Sequence, residues 1–499
     1  MSRRVVIIGS GLGGLSCGVV MAKNGYDVTV LEQGTQYGGC LQCFSRGTAR
    51  FETGMHFVGQ VREGQTLHTL LRFLGVDGDM RFSALDTAGY DVVHLQGQAF
   101  GFACGREAFI EGLAAHFPTQ KDGLADYCRA IDQVARASSI HSMCDSAVSS
   151  VSLDYQLKPI DAVIGQFITD PLLARVLVGN LPLYAAQRGK TPFSTHAFIM
   201  NFYNAGAYRF VGGSDQLAHA LHRRIVSLGG RVLTGTPVVA IGCDGSRATG
   251  VRTAAGDSIP ADVVISTIHP QCTLELLDTP LIRQAYRRRV MDIPNTVGTF
   301  TLYIEFKDQA MPYSNSNHYW YAQDSPWDCE QYNDATWPKG YLYMHMCHEP
   351  HPQWAHTAVV ISYMQMGEVA PWADTTVGHR GADYKAFKQR KAEALLDAME
   401  RDMPGFRSKV RRVYTSTPLT YRDYTGTVGG SLYGLARDVT LGAAGRVSHR
   451  TRIPNLLLAG QNINSHGILG VLVGTLVACA ELLGSKTLYS QITASATHG

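Results

Sequence analysis

The chain begins with a short apolar run that leads directly into a cluster of glycines. Residues 5–8 are continuously apolar, as a strand buried on both faces of a sheet requires. Residues 9–14 read Gly-Ser-Gly-Leu-Gly-Gly, and the pattern of residues 15–24 predicts a helix after them. Residues 27–31 predict a second buried strand, which Glu32 follows. The pattern therefore predicts a strand–helix–strand unit at the start of an α/β domain.

The glycines of this unit have the spacing of a dinucleotide-binding turn. Gly9 permits the tight turn, Gly11 lets the backbone approach a pyrophosphate, and Gly14 lets the helix pack closely on the strand. The helix N-terminus presents free N–H groups to the phosphates. Glu32 lies 18 residues after Gly14, where a carboxylate accepts a hydrogen bond from a ribose hydroxyl. Because a carboxylate would repel a 2′-phosphate, the site disfavours NADP.

A second glycine-rich block lies near the end of the sequence. Residues 456–459 predict an apolar strand, which Gly460-Gln461-Asn462 follow. A helix that begins with the glycines of residues 467–470 is predicted to continue to Leu483. A simple NAD domain has no need of a second cradle, whereas a flavin ring and its ribityl chain do. The two blocks together predict FAD, bound by a domain whose parts are separated in sequence.

The region between the two blocks has the alternation of helices and strands expected of an inserted domain. Residues 214–228 have apolar side chains on one helical face, and residues 384–401 predict a longer amphipathic helix. Residues 100–200 are predicted to be rich in helix. Strands are predicted at residues 261–266, 299–306, 319–321, 341–346 and 359–364.

Composition limits the class of protein further. A chain of 499 residues is too long for a single hydrophobic core, so two or more domains are expected. A formal net charge of +3 is too small to indicate nucleic acid as a partner. The 11 cysteines show no disulfide framework, and the first strand begins too early for a signal peptide to precede it. We therefore expect a cytoplasmic protein without a transmembrane helix.

The same segments resemble the flavoprotein superfamily of amine oxidases and phytoene desaturases, and within it the retinol saturase branch. The resemblance extends over nearly the whole chain. Its motifs are Gly-Ser-Gly-Leu-Gly-Gly-Leu at 9–15, Leu-Glu-Gln at 31–33, Gly-Gly-Cys at 38–40, Phe-Glu-Thr-Gly-Met-His-Phe-Val-Gly at 51–59, Phe-Ser-Thr-His at 193–196, Gly-Gly-Ser at 212–214, Pro-Leu-Thr at 418–420, Tyr-Gly at 433–434 and the block 460–470.

The resemblance implies a discontinuous Rossmann-type FAD-binding domain with an inserted α+β substrate domain. The FAD-binding domain is expected to comprise residues 1–95, 205–290 and 405–499. The substrate domain is expected to comprise residues 96–204 and 291–404.

The glycine pattern and the resemblance together imply a set of FAD-binding residues and three candidate catalytic residues. His56, His466 and Tyr421 are the candidates for the acid that protonates the substrate, because they lie near the expected flavin. The FAD-binding set is Gly9, Gly11, Leu12, Gly13, Gly14, Glu32, Gln33, Gly39, Cys40, Gly54, Met55, His56, Val239, Gly460, Gln461, Asn462, Gly467, Leu469, Gly470 and Val471.

Five positions depart from the family pattern. Asn462 stands where the family usually has Asp, Gln42 replaces a His, and Phe210-Val211 replace Pro-Arg. His466 stands where retinol saturases have Cys. Because these positions lie near the expected flavin and substrate, the exact substrate and reaction stay open at this stage.

The implied activity is redox chemistry on a carbon–carbon double bond of an apolar, polyene or lipid-like substrate. Saturation is the first expectation, with a hydride from reduced flavin and a proton from the protein. The electron donor would be NADPH or another protein. The same architecture also serves carotenoid desaturation and cis–trans isomerisation. Rab escort and GDP-dissociation-inhibitor proteins share the fold and bind prenylated proteins without catalysis, although Gly460–Gly470 argues against that alternative.

Three further hypotheses concern a membrane contact, a pair of cysteines and a metal site. Extraction of an apolar substrate from a bilayer suggests a peripheral membrane contact through the substrate domain. Cys40 and Cys43 could form a redox pair, but they lie in a loop rather than at a helix start. No metal site is expected, although His345, Cys347 and His348 have suitable chemistry, because alternate strand residues point to opposite faces.

Overall fold

The computed structural model of the protein describes residues 2–137, 150–322 and 324–497. Its strands, numbered in chain order, are β1 (Arg4–Ile8), β2 (Asp27–Leu31), β3 (Cys43–Arg46), β4 (Ala49–Glu52), β5 (Val58–Gly59), β6 (Phe82–Ala84), β7 (Asp91–Leu95), β8 (Gln98–Phe102), β9 (Ala207–Phe210), β10 (Arg231–Leu233), β11 (Val238–Cys243), β12 (Ala248–Thr253), β13 (Ser258–Pro260), β14 (Val263–Ser266), β15 (Gly298–Phe306), β16 (Asn317–Tyr321), β17 (Gly340–His345), β18 (Thr357–Met364), β19 (Val410–Ser416) and β20 (Leu456–Leu458).

The α-helices are numbered in the same way. They are α1 (Leu12–Lys23), α2 (Thr66–Leu74), α3 (Arg106–Ala114), α4 (Lys121–Ala137), α5 (Ser150–Leu157), α6 (Ile160–Phe167), α7 (Pro171–Val176), α8 (Phe193–Asn204), α9 (Asp215–Ser227), α10 (Pro270–Glu275), α11 (Gln284–Met291), α12 (Gly381–Asp402), α13 (Phe406–Lys409), α14 (Pro418–Thr425), α15 (Gly467–Leu483) and α16 (Ser485–Thr497).

A five-stranded parallel sheet forms the core of the predicted nucleotide domain. Its strand order is β10-β2-β1-β14-β20, so the two ends of the chain meet in one sheet. All of Val5–Ile8 is buried, as the continuous apolar run predicts. Helices α1, α9 and α15 pack together beside the sheet, and a Cβ on Gly18 of α1 would lie 2.8 Å from the Ile225 side chain of α9. The predicted strand–helix–strand unit and the second block are both confirmed as elements of this sheet.

A seven-stranded sheet forms the core of the second domain. Its order is β19-β15-β18-β17-β16-β7-β8, and its neighbours are antiparallel except for β16 and β7. Strand β15 is buried at all nine positions. The four strands predicted between residues 299 and 364 are confirmed as β15 to β18, and the amphipathic helix predicted at 384–401 is confirmed as α12.

The expected domain boundaries need correction at two places. The boundary between residues 95 and 96 cuts the β7–β8 hairpin, in which Asp91 pairs with Phe102. Strand β19 pairs with β15 of the seven-stranded sheet, although residues 405–499 were assigned to the nucleotide domain. The β7–β8 hairpin joins the seven-stranded sheet through β16, and β19 joins it through β15. Both of these partners lie far away in sequence, so local pattern could not assign the segments to a sheet.

None of the helices in the described ranges is both long enough and apolar enough to cross a membrane.

Candidate functional site

A deep cleft lies at the carboxyl edge of the parallel sheet, where open α/β sheets bind their ligands. Its atom-free volume is about 1460 Å³ including the open mouth. The cleft extends past both glycine-rich blocks, as an extended ligand such as a dinucleotide requires. The walls come from the turn after β1, the loop after β2, the end of β14, the end of α14 and the block after β20.

One end of the cleft, here called the nucleotide end, is built from backbone with no side chain in the way. A Cβ on Gly14 would lie 1.9 Å from the Gly9 carbonyl oxygen, so helix α1 can begin here only with glycine at this position. A Cβ on Gly13 would lie 3.0 Å from the Cα of Gly460. The two glycine-rich blocks therefore touch, and together they surround one ligand at the N-terminus of α1.

Glu32 supplies the charged group of the nucleotide end. Its Oε2 accepts hydrogen bonds from the Ser10 N–H at 3.1 Å and the Ser10 hydroxyl at 2.5 Å, and its Oε1 accepts from the Gly34 N–H at 2.8 Å. These bonds hold the carboxylate in the wall of the cleft. The position matches the role of a carboxylate that receives ribose hydroxyls.

The block after β20 is braced by the chain that precedes it. Oδ1 of Asn462 accepts from the Leu435 N–H at 2.8 Å, and the Asn462 carbonyl accepts from Arg437 at 3.3 Å. A Cβ on Gly434 would lie 2.0 Å from Asn462 Oδ1. Asn462, where the family usually has Asp, thus uses its amide oxygen to order the backbone, and it still lies in the wall of the cleft.

The structure brings most of the predicted FAD-binding residues to one cavity. Those in the cleft wall are Gly9, Gly11, Leu12, Gly13, Glu32, Gln33, Gly39, Cys40, Met55, Gly460, Gln461, Asn462, Gly467 and Val471. Gly14 lies behind the wall, where it permits the contact with Gly9. A Cβ on Gly54 would lie 3.1 Å from that of Cys40, and one on Gly470 would lie 2.7 Å from Ser465, so both glycines allow close backbone packing.

Two predicted contacts are placed differently. The Val239 side chain is 44% exposed, and Val238 lies in the cleft wall instead. A register shift between Val238 and Ala240 reverses the expected facing, which the sequence does not reveal. Leu469 is buried in the core cluster around α1 and does not line the cavity.

Sequence reasoning missed several parts of the wall. The chain after β14 contributes Thr267, Ile268, His269 and Cys272 to the wall. The end of α14 and the two residues after it contribute the segment 424–427. The first group could have been found, because the carboxyl ends of all parallel strands meet at the same edge. The α14 segment carried no local signal, since its position depends on the second domain.

The other end of the cleft, here called the sheet end, faces the second domain and carries side chains. Cys40 and Met55 lie in its wall. The Tyr421 hydroxyl donates to the Thr53 carbonyl at 3.0 Å, and the Tyr433 hydroxyl donates to the Pro182 carbonyl at 2.9 Å. Burial raises the pKa of Tyr421 well above its ordinary value. Tyr421 therefore braces the loop that carries Met55, and its proton is already engaged.

His56 is paired with a buried carboxyl group. Its Nδ1 lies 3.4 Å from Oε2 of Glu52, and the two side chains are 8% and 3% exposed. Neither ring nitrogen of His56 has a hydrogen-bond partner within the described residues. Burial raises the pKa of Glu52, and His56 and Arg209 act in the opposite direction. The Glu52 carboxyl group is therefore close enough to the His56 ring to hold its orientation.

His466 has the opposite electrostatic surroundings. It is 8% exposed, its ring lies 4.5 Å from that of Tyr433, and its Nε2 has no partner in the described structure. Burial, followed by the nearby Arg437 guanidinium, lowers the pKa of His466 to about 3. The ring is therefore neutral at ordinary pH and cannot serve as an imidazolium acid.

The remaining candidate side chains are the cysteine pair, Cys40 and Cys43, and the histidine cluster around His345 and His348. Burial raises the pKa of Cys40 to about 11 and that of Cys43 to about 12, which disfavours the thiolates that redox exchange requires. His345 accepts from the Ser314 N–H at 2.8 Å, and His348 bonds the Thr357 hydroxyl at 2.6 Å. These side chains are thus engaged with protein groups.

The fold of this chain is similar to that of known oxidoreductases. An oxidoreductase of known crystal structure from Methanosarcina mazei superposes with a TM-score of 0.62 at 15% sequence identity, over 95% of this chain and 99% of that chain. Residues 12–367 match the family described as flavin containing amine oxidoreductase. The chain belongs to this family, and it is an FAD-dependent oxidoreductase.

Curated relatives agree with the resemblance drawn from the motifs. All-trans-retinol 13,14-reductase of Rattus norvegicus is 28% identical to this chain, and the alignment covers 98% of this chain and 87% of the rat protein. The chloroplastic prolycopene isomerase of Daucus carota is 21% identical over 93% of this chain and 77% of that protein. The expected fold and the expected superfamily are therefore confirmed.

Proposed function

We propose that this protein uses FAD to saturate a carbon–carbon double bond of an apolar polyene. The observation that carries the proposal is the similarity to all-trans-retinol 13,14-reductases, which extends over 98% of the chain. A retinoid-like polyene is the substrate class that agrees with this similarity.

The residues present fit FAD at both ends of the cleft. The glycines of the nucleotide end leave the room that a pyrophosphate needs, and Glu32 is held where a ribose would lie. Asn462 and Met55 lie in the wall farther along, where they would contact the ribityl chain and the ring. When bound, FAD supplies the hydride that the reaction requires.

His56 is the acid that best suits protonation of the substrate. The Glu52 carboxyl group lies 3.4 Å from the His56 ring and would orient it, whereas burial, followed by the Arg437 charge, lowers the pKa of His466 to about 3. The Tyr421 proton is committed to the Thr53 carbonyl. In this proposal His56 transfers the proton from a ring nitrogen, and Glu52 orients the ring.

Cis–trans isomerisation of a carotenoid is the second candidate, and the similarity to prolycopene isomerase favours it. Isomerisation leaves the number of double bonds unchanged, so it gives no net consumption of electrons or protons. The two candidates are therefore separated by the stoichiometry of the reaction.

Anaerobic mixing of the reduced holoenzyme with all-trans-retinol would test the proposal. We expect the oxidised flavin band to return in one turnover, together with a product whose shorter conjugated system absorbs at shorter wavelength. A polyene that changes absorption while the flavin stays reduced would favour isomerisation. A substrate that reduces the oxidised enzyme would favour desaturation, and no reaction with any polyene would overturn the proposal.

The electron donor and the cellular position are part of the same proposal. NADPH or a redox protein would reduce the flavin, and bleaching of the flavin band by NADPH under anaerobic conditions would distinguish them. The apolar substrate implies a peripheral contact with a membrane.

A further inference from the structure

A group of arginines forms a continuous surface beside the second half of the nucleotide domain. This surface, here called the arginine face, is made of helix α11, the residue that precedes it, and the segment 444–452. Its six members are Arg283, Arg287, Arg288, Arg289, Arg446 and Arg452. Of these, Arg283, Arg288, Arg446 and Arg452 are exposed, and Arg287 and Arg289 are half-buried.

Several contacts join helix α11 to the segment 444–452. Arg289 Nη1 donates to the carbonyl oxygens of Ala444 and Arg446, both at 2.8 Å. The Arg289 guanidinium also lies 5.0 Å from the centre of the Tyr286 ring; burial raises the pKa of Tyr286, and Arg289 and Arg452 act in the opposite direction. Arg446 Nη1 donates to Gln156 Oε1 at 2.6 Å, which joins helix α5 to the surface.

The positive charge of the arginine face is not neutralised within the described ranges. Arg287 donates to the carbonyl oxygens of Leu274 and Leu277, so its partners are neutral, as are those of Arg289 and Arg446. No carboxylate oxygen of the described residues lies within 4 Å of any of the six guanidinium groups, whereas Arg450 nearby is paired with Glu481.

We propose that the arginine face docks the protein on an anionic lipid surface. The arginine face has six arginines, whereas residues 275–292 carry three exposed carboxylates, Glu275, Asp278 and Asp292. Two large apolar side chains border the arginines, Met291 at 41% exposure and Leu157 at 59% exposure. Basic residues bordered by exposed apolar side chains are the combination that binds headgroups and the outer acyl region together.

This inference rests on the proposed function in one respect, since the apolar substrate supplies the reason for a membrane contact. It differs from the expectation drawn from sequence, which placed the contact on the substrate domain. Four of the arginines lie on α11 or at its start, close to α10, and the end of the loop before α10 lines the FAD cleft at His269. The substrate domain contributes the adjoining helix α5 and Met291, the last residue of α11.

Flotation of the full-length holoenzyme with vesicles would test the inference. We expect binding to phosphatidylcholine vesicles that contain phosphatidylserine, little binding to pure phosphatidylcholine, and release at high salt because salt screens exposed charges. The double variant Arg283→Glu/Arg288→Glu should bind the anionic vesicles at least about 25-fold more weakly, since each basic residue near such a surface contributes about fivefold.

The matched control is Lys385→Glu/Arg401→Glu, which reverses two exposed charges on helix α12. We expect it to bind as the unchanged protein does, and all variants to keep their flavin content and far-ultraviolet spectrum. Equal binding to neutral and anionic vesicles would overturn the inference, as would equal losses in the two double variants. No vesicle binding, with slower reduction of Arg283→Glu/Arg288→Glu by a redox protein, would instead assign the surface to an acidic protein. Turnover of detergent-solubilised retinol measures the proposed function separately.

Discussion

The two ends of the FAD cleft are built on different principles. The nucleotide end consists of backbone and one carboxylate, supplied by the first 32 residues and by the glycines after β20. The sheet end consists of side chains from four separate segments, represented by Cys40, Met55, Asn462 and the end of α14. At the nucleotide end, the space that the glycines leave determines whether the ligand can bind. At the sheet end, the charges near each side chain determine the chemistry of that side chain.

The two buried histidines differ in the charged group that lies near each ring. His56 and His466 have nearly the same exposure and both have an unpartnered ring nitrogen in the described structure. His56 lies beside Glu52, whereas His466 lies within the influence of Arg437. Residue type and burial therefore do not distinguish the two rings, whereas the charged group near each of them does.

The largest effect is expected from Gly14→Ala at the nucleotide end. Its Cβ would lie 1.9 Å from the Gly9 carbonyl oxygen, and backbone cannot move aside without displacing α1. We expect a loss of about 4–5 kcal/mol or more in the free energy of unfolding and almost no bound flavin. Thermal melts and the flavin-to-protein absorbance ratio would measure both quantities.

The matched control for that variant is Gly112→Ala in helix α3. A Cβ there has no atom within 4 Å, so the change should leave flavin content intact and stabilise the helix by up to about 1 kcal/mol. If Gly14→Ala kept full flavin and its melting temperature, the steric account of the nucleotide end would be wrong.

The next largest effect is expected from His56→Gln, next to Met55 of the sheet end. Removal of a general acid should slow flavin reoxidation by the polyene about 10²–10⁴-fold while the protein stays folded with its FAD. Glu52→Gln should slow the same step less, because it removes the charge and leaves the ring in place. Stopped-flow absorbance of the reduced enzyme mixed with substrate would measure the rate. An unchanged rate in His56→Gln would assign the proton to another group.

A smaller effect is expected from Glu32→Gln at the nucleotide end. The change removes a charged acceptor from ribose hydroxyls but keeps the side-chain shape, so FAD affinity should fall about tenfold or more. Titration of apoprotein with FAD, followed by flavin fluorescence, would measure the dissociation constant. Glu63→Gln, at an exposed position, is the control and should not alter it. A normal dissociation constant in Glu32→Gln would remove Glu32 from the site.

The smallest effect on turnover is expected from His466→Asn, which should instead alter stability in acid. Burial lowers the folded-state pKa of His466 to about 3, so the unfolded chain binds this proton first as pH falls below about 6.5. The native protein should therefore lose stability between about pH 6.5 and pH 3 more steeply than the variant. Melting temperatures of both proteins at several pH values would show it. Parallel pH curves would contradict the neutral assignment of the ring.

Much of the fold was predictable because its signals are local. The apolar run of β1, the glycines that follow it and Glu32 lie together in 32 residues, and their geometry is set by φ angles and N–H groups. The strands β15 to β18 and helix α12 were also predictable from hydrophobic period. The facing of Val238 and Val239 was not, because a register shift breaks the alternation that the prediction assumed.

The sequence by itself determined that this chain binds a dinucleotide between two glycine-rich blocks, and its motifs pointed to the flavoprotein superfamily. Only the tertiary structure decided that β7, β8 and β19 share one sheet, that α14 reaches the cleft, and that Glu52 lies beside His56 while Arg437 lies near His466. The reason is physical. Backbone conformation and hydrophobic period are encoded over a few neighbouring residues, whereas the electrostatic potential at a side chain is the sum of charges that folding brings together from distant segments.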